Sequence, residues 1–194
     1  MTFTRCLTVL CTLAALLLLS ACGPSNTVHL VPLKPASNVL PTPSSSTIAV
    51  VQFADKRVDT SALGMRRDKS YFTTMDSPTE WISKAIADHI GAQGYQVSYA
   101  TSAAEAIKGN PDYILTGSLE KLDIQENSAT SFETTIRAKY VLSNREKKLV
   151  LETLTANQSK TSLPSSSAVE SLLGDTLKDI INPMFQKVQS FIKH

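Results

Sequence analysis

The chain has 194 residues, and its 19 lysines and arginines nearly balance its 17 aspartates and glutamates, for a formal net charge of +2. That balance excludes a broad basic face for nucleic acid, so we predict no nucleic-acid partner. It equally excludes a polybasic membrane anchor, so any membrane attachment must come from acyl chains.

Residues 1–21 predict a cleaved lipoprotein signal peptide. Arg5 precedes an apolar run over residues 6–19, which is shorter than the ~20 residues of a membrane-spanning helix and fits a secretory signal. Two small residues, at positions 20 and 21, then lead directly to Cys22. We therefore expect cleavage before Cys22 and lipidation of its thiol. The alternative is an ordinary cleaved signal in which Cys22 is incidental, but the usual polar spacer is missing.

Cysteine and histidine usage argues against metal and thiol chemistry. Cys6 and Cys11 leave with the signal, so the mature chain keeps only the lipidated cysteine and cannot form an internal disulfide. The three histidines, His29, His89 and His194, have no metal-ligand spacing to one another. We predict no metal and no cofactor, and we expect His89 to lie at the edge of the core.

Residues 22–46 predict a lipidated cysteine followed by a Pro/Ser-rich tether. Proline fixes φ and removes backbone donors, so this segment should be extended and stay outside the core. At ~3.1 Å per residue it could hold the domain several tens of ångströms from the bilayer. Alternatively, the apolar patch Val28 to Leu33 could dock on the domain as an edge strand. Gly23 is the sorting position, and a residue other than aspartate there favours the outer membrane, with the domain facing the periplasm.

Residues 47–194 predict a single globular domain. Ile48 to Phe53 has the apolar, β-branched character of a buried strand. Ser77 to Glu80 carries a helix start signal, and Gly94 is placed to end that helix. A second strand over residues 95–99 should run parallel to the first, because a helix joins them.

The second half of the domain predicts a short helix, three strands and a long helix. Ser102 caps the short helix, and strands follow over residues 113–124, 132–142 and 149–156. A phase slip predicts a bulge near Glu120, and the last helix opens near Ser167. The resulting fold is an α/β (α+β) sandwich, with a mixed sheet of about five strands, helices chiefly on one face, and the order β-α-β-α-β-β-β-α.

Motifs for catalysis are missing from the sequence. No serine lies in a Gly-x-Ser-x-Gly elbow, and no glycine-rich loop could hold a phosphate. The carboxylates Asp55 and Asp59 lie on a charged loop, where spacing alone does not indicate hydrolysis. We therefore predict that the protein is not an enzyme. A hydrolase is a distant third hypothesis, after the two non-catalytic hypotheses given below.

The segment over residues 53–75 is the candidate partner-binding loop. It follows the carboxyl end of the first strand, a usual place for binding residues. It also carries residue types that are common in interfaces. The candidate binding residues are Asp55, Arg57, Arg66, Arg67 and Tyr71. The competing interpretation is that Asp55 and Arg57 pair with each other and hold the loop in place.

Three short motifs and the lipidation signal occur in an order that resembles the YajG-type family of bacterial lipoproteins. They are Asp55-Lys56-Arg57, Arg67-Asp68 and Gly94-Tyr95-Gln96-Val97. The resemblance implies a periplasm-facing outer-membrane lipoprotein with this fold, and it carries over no catalytic residues. The Pro-rich tether is longer here than in that family.

Two functional hypotheses follow. The first is a lipid-anchored, non-catalytic binding or structural module of the envelope, which binds an envelope protein through the 53–75 loop or a sheet edge. The second is an auxiliary lipoprotein subunit of an envelope lipid or ABC-type transport system. A wide apolar groove beside the last helix would favour the second, and a closed core would favour the first.

Overall fold

The computed structural model describes residues 25–35, 38–163 and 165–192, so the predicted signal peptide, Cys22 and Gly23 lie outside the described residues. The strands are β1 (Thr47–Val51), β2 (Ala54–Asp55), β3 (Gly64–Met65), β4 (Tyr71–Phe72), β5 (Gln96–Ala100), β6 (Tyr113–Ser128), β7 (Ser131–Asn144) and β8 (Lys148–Thr161). The helices are α1 (Pro78–Ala92), α2 (Ala103–Lys108) and α3 (Ser166–Gln189). Within the described part of the chain, no helix has the length and apolarity to cross a membrane.

One mixed sheet is built around β6. On one side β6 pairs antiparallel with β7, which in turn pairs antiparallel with β8. On the other side it pairs in parallel with β1, β2 and β3 in succession, and β5 lies parallel to β1 beyond them. The five longer strands match the predicted sheet. The three two-residue strands between β1 and α1 were not predicted, because two residues are too few to show a period.

The alternation of β7 decides which face of the sheet is buried. Even-numbered residues from Phe132 to Leu142 point into the core and are fully buried, whereas Arg137 and Lys139 on the other face are exposed. The predicted bulge is present, because the register of β6 against β7 shifts between Leu119 and Lys121.

Side-chain caps begin the helices, close to the predicted positions. Ser77 Oγ accepts a hydrogen bond from the Glu80 N–H at 3.3 Å, and Ser102 Oγ accepts one from Glu105 at 3.2 Å. The last helix starts slightly earlier than predicted, since Ser165 is its cap. It then continues through Pro183 to Gln189.

Helices α1 and α3 pack on the main core face of the sheet, and the short α2 covers part of the opposite face. A small second cluster lies beneath α2, formed by Ala49, Val51, Ala100 and Ala106. The fold is therefore the predicted sandwich, with helices chiefly on one face.

A close approach requires glycine at position 117. A Cβ there would lie 2.5 Å from the ring of Phe53 and 2.6 Å from the carbonyl oxygen of Lys139. The Phe53 ring therefore packs directly over the backbone of β6, and this contact holds the chain that leaves β1 against the sheet.

The segment before β1 packs on the domain, which corrects the expectation that this region stays outside the core. Val28 and Leu30 belong to the main hydrophobic core and are 1% and 6% exposed. The Val28 N–H donates to the Thr73 carbonyl at 2.9 Å, and the Thr73 N–H donates to the Asn26 carbonyl at 2.9 Å. The alternative that the apolar patch docks on the domain is therefore confirmed, although the patch forms no edge strand and only a single bridge joins Thr27 to Thr73.

This segment, which we call the strap (residues 25–35 and 38–46), follows α1 from its first turn to its last. Near the start of α1, the Trp81 indole N–H donates to the Val31 carbonyl at 2.9 Å. Near the end, the Val39 N–H donates to the Ala92 carbonyl at 2.8 Å. The prolines did prevent regular secondary structure, but the apolar residues between them had a hydrophobic surface to cover.

Ile136→Ala should lower the free energy of unfolding by about 2–5 kcal/mol, because its side chain is completely buried. The matched control is Thr135→Ala on the opposite face of β7, where the hydroxyl donates to Asn157 Oδ1 in an exposed pair. That change should cost about half a kcal/mol or less. Chemical denaturation measures both values, and equal losses would mean that the second face is also covered.

Candidate interaction surfaces

The first part of the 53–75 loop is held by a partly buried ion pair. Arg57 donates from Nε to Asp55 Oδ1 at 3.0 Å and from Nη2 to Asp55 Oδ2 at 2.8 Å. The Arg57 side chain is 4% exposed and also donates to the carbonyls of Thr60 and Ala62. The hydrogen bonds from Arg57 lower the pKa of Asp55 below its ordinary value, so the pair is charged at neutral pH. The competing interpretation, an internal pair, is therefore what the geometry shows.

Arg66 is the second buried arginine of the loop. Its Nη2 donates to the Ser25 carbonyl at 2.8 Å, its Nη1 lies 3.7 Å from Glu126 Oε2, and its guanidinium lies 4.7 Å from the centre of the Phe72 ring. These contacts join the strap, the loop and the end of β6. With a side chain that is 6% exposed, Arg66 cannot present its charge to a partner.

The remaining candidates lie at the surface. Arg67 is exposed, and Tyr71 is 57% exposed on the two-residue strand β4. Next to them the turn is fixed locally, because Asp68 Oδ1 accepts from the N–H and the hydroxyl of Ser70. These hydrogen bonds lower the pKa of Asp68, which keeps it negatively charged. Of the five predicted binding residues, two are thus free to contact another molecule and three hold the loop in place.

The surface beside α3 is closed by the strap. The His29 N–H donates to Glu170 Oε1 of α3 at 3.0 Å, and the Leu30 N–H donates to Asp76 Oδ2 before α1 at 2.9 Å. A Cβ on Gly174 would lie 3.3 Å from Leu33 Cδ2, so the strap also touches the backbone of α3.

A small cavity of about 140 Å³ remains under the strap. It lies between the strap and the two helices, next to His89, and ligand pockets are usually about 300–1,000 Å³. His89 packs edge-on against Phe185 with ring centres 5.1 Å apart, and burial lowers its pKa. It therefore lies at the edge of the core, as predicted. The described residues include no group of three or more metal-ligating side chains placed to hold an ion.

Strand β8 presents the sheet edge that the binding-module hypothesis left unspecified. It pairs with β7 over Lys148 to Thr161, and no other described strand pairs with its outer edge. Its central part, Thr153 to Ser159, has no charged residue and no proline. Natural edge strands are usually protected by such residues, because free N–H and C=O groups invite pairing with another chain. The signal was available in the sequence, since the last strand of a meander with no following strand lies at an edge.

Solved structures of low sequence identity share this fold. A Xanthomonas campestris protein assigned to the family model DUF330 superposes with a TM-score of 0.56 at 12% identity, over 82% of this chain and 98% of that chain. The lipoprotein GNA1162 from Neisseria meningitidis gives a TM-score of 0.43 at 16% identity, over 73% and 99%. A minor lipoprotein from Acinetobacter baumannii gives 0.44 at 13% identity, over 75% and 93%.

The first of these similarities shows the fold, an α+β domain with a mixed sheet, and at 12% identity it shows the fold alone. The other two superpositions are too loose to support an argument. No family model matches the chain, and no curated protein matches it in sequence. None of the three proteins is described as YajG-type or as an enzyme, so the YajG-type resemblance stays a prediction.

Arg66→Gln should destabilise the domain by roughly 2–4 kcal/mol, because it leaves the Glu126 carboxylate without its cation in a largely buried place. Its neighbour provides a matched control. Arg67→Gln removes the same charge from the surface and should change stability by about 0.5 kcal/mol or less. Urea denaturation of both variants measures the difference. If the two variants lose equal stability, Arg66 does not hold the strap and the loop together.

Proposed function

We propose that this protein is a lipid-anchored lipoprotein of the outer membrane, facing the periplasm, and that it acts as a non-catalytic binding module for an envelope protein. The partner binds as an extended segment along the outer edge of β8. The single observation that carries this proposal is the unpaired, uncharged centre of β8. The anchor comes from the Cys22 signal, and the outer-membrane address comes from Gly23.

Strand addition suits the geometry of this edge. An added strand takes its affinity from main-chain hydrogen bonds and its specificity from pockets for alternate side chains. Thr153, Thr155 and Asn157 are exposed on one face of β8, so they are available to read such side chains. The strand is also rigid, because it pairs along its length with β7 and because the Tyr140 hydroxyl donates to Glu152 Oε2 at 2.9 Å.

The surface beside α3 does not favour the transport hypothesis. That hypothesis called for a wide apolar groove beside α3, and the protein's own strap occupies that position. The cavity beside α3 has about 140 Å³, which is below the roughly 300–1,000 Å³ of usual ligand pockets, and the larger clefts of about 360 and 720 Å³ along the strap lie beside α1. The binding-module hypothesis needs no such groove.

Cys22→Ser should abolish lipidation and release the protein from the membrane. Cells grown with a labelled fatty acid should label the wild type and leave the variant unlabelled. Fractionation should then place the wild type with the outer membrane. Equal labelling of the two proteins would refute lipidation at Cys22. Recovery of the wild type in the inner membrane would refute the outer-membrane localisation.

Proline substitutions test the edge of β8, because successive backbone N–H groups in a strand point to opposite sides. Thr155→Pro and Gln158→Pro are three positions apart, so one of them removes an N–H that faces β7 and the other an N–H that faces outward. The substitution that removes the N–H facing β7 should lower the melting temperature of the domain. The substitution that removes the outward-facing N–H should keep a near-wild-type melting temperature and abolish binding of the partner.

The partner is followed by in-cell photo-crosslinking from Asn157, which is exposed on β8, and Asp88 on α1 is the control position. Thr155→Ala and Gln158→Ala separate the loss of a side chain from the loss of an N–H. A folded outward-proline variant that keeps its full crosslinking pattern would refute binding along this edge.

A further inference from the structure

The strap leaves almost no free chain between the anchor and the domain. Ser25 already accepts the hydrogen bond from Arg66 Nη2 at 2.8 Å. Two residues follow Cys22 before Ser25, so the two Cα atoms are at most roughly 11 Å apart, at about 3.8 Å per step. If Cys22 carries acyl chains, the part of the domain around Ser25 is held at the bilayer surface.

The sheet topology shows which part that is. Arg66 joins Ser25 to Glu126 near the end of β6, and Ser128 of β6 pairs with Ser131 of β7. Ser131 in turn pairs with Thr161 at the end of β8. The turn after β3, the β6–β7 turn and the end of β8 therefore lie at the same end of the domain. We call it the Ser25 end, formed by residues 25–27, 67–70, 127–131 and 160–163.

The side chains of the Ser25 end suit a lipid headgroup layer. They include three exposed cations, Arg67, Lys69 and Lys160, and one anion, Asp68. Leu163 is also 73% exposed there. Cations near an anionic bilayer add attraction to that supplied by an acyl anchor.

We infer that the Ser25 end of the domain rests on the membrane surface and that Arg67, Lys69 and Lys160 contact anionic lipid headgroups. This inference rests on the lipid anchor of the proposed function and is independent of binding along β8. The opposite end also carries cations, at Arg145, Lys147 and Lys148, so charge alone would not orient the domain. The position of the anchor determines which end of the domain faces the membrane.

The two turns of β7 provide the test, because β7 spans the domain from one end to the other. Thr130 and Glu146 are exposed on these turns, and the 14 residues of β7 separate them by ~44 Å at ~3.4 Å per residue. Cys22 is the only cysteine beyond the signal peptide, so Thr130→Cys or Glu146→Cys gives one free thiol for a fluorophore. Ala129→Cys is a second position in the first turn.

The full lipidated protein is placed in vesicles of phosphatidylethanolamine and phosphatidylglycerol that contain a nitroxide-headgroup lipid. Fluorescence should be lost from labels at positions 129 and 130 and retained at position 146. Equal quenching at both ends of a folded, lipidated protein overturns the inference and leaves the proposed function standing. An unlipidated intact mass overturns both, and loss of the β8 crosslink alone leaves this inference intact.

The role of the cations is tested in the same vesicles. Arg67→Gln with Lys69→Gln should reduce the quenching at position 130, since each cation near an anionic surface contributes about a fivefold preference and the loss of two lowers the preference for the headgroups about 25-fold. Lys147→Gln with Lys148→Gln removes the same charge from the opposite end and should leave the quenching unchanged. If the first pair has no effect, or if both pairs have the same effect, the cations do not contact the headgroups.

Discussion

Strand β6 forms hydrogen bonds along both of its edges, and the positions of the other elements depend on that pairing. Its antiparallel partner β7 extends the sheet toward β8, while its parallel edge takes up three short strands from one stretch of chain. Because β1 pairs only with the first residues of β6, the chain after β1 has to continue along the remaining edge. The 53–75 loop is therefore held to the sheet at two places, through β2 and β3.

Two buried arginines make this arrangement rigid. Arg57 donates hydrogen bonds to carbonyls of the loop and is neutralised by Asp55. Arg66 donates a hydrogen bond to the strap and is neutralised by Glu126. A buried guanidinium is tolerated only when it is paired and hydrogen-bonded. These side chains consequently contribute to the position of the loop, and their charge is not offered to another molecule.

The strap changes how the anchor relates to the domain. Proline-rich segments are usually extended, semi-rigid spacers outside the core, but here Val28 and Leu30 are part of the core. If Cys22 is lipidated as proposed, a chain that packs so soon after it gives the domain a defined end toward the bilayer. It also covers part of the surface between α1 and α3. The outer edge of β8, in contrast, pairs with no other described strand.

Local patterns in the sequence were sufficient to predict most of the elements, because caps, periodicity and the β-bulge depend on neighbouring residues. The seventh strand shows this best, since its strict alternation identified Ile136 as buried and Arg137 as exposed. The signal peptide and the lipidation of Cys22 are also predictions from the sequence, and these residues lie outside the described part of the chain. The features that only the tertiary structure decided depend on contacts between residues that are far apart in the sequence. Arg66 and Arg67 are adjacent and chemically alike, yet one is buried because Ser25, Glu126 and Phe72 surround it. The docking of Val28 on the core and the free edge of β8 were decided in the same way, by surfaces that exist only after the chain has folded.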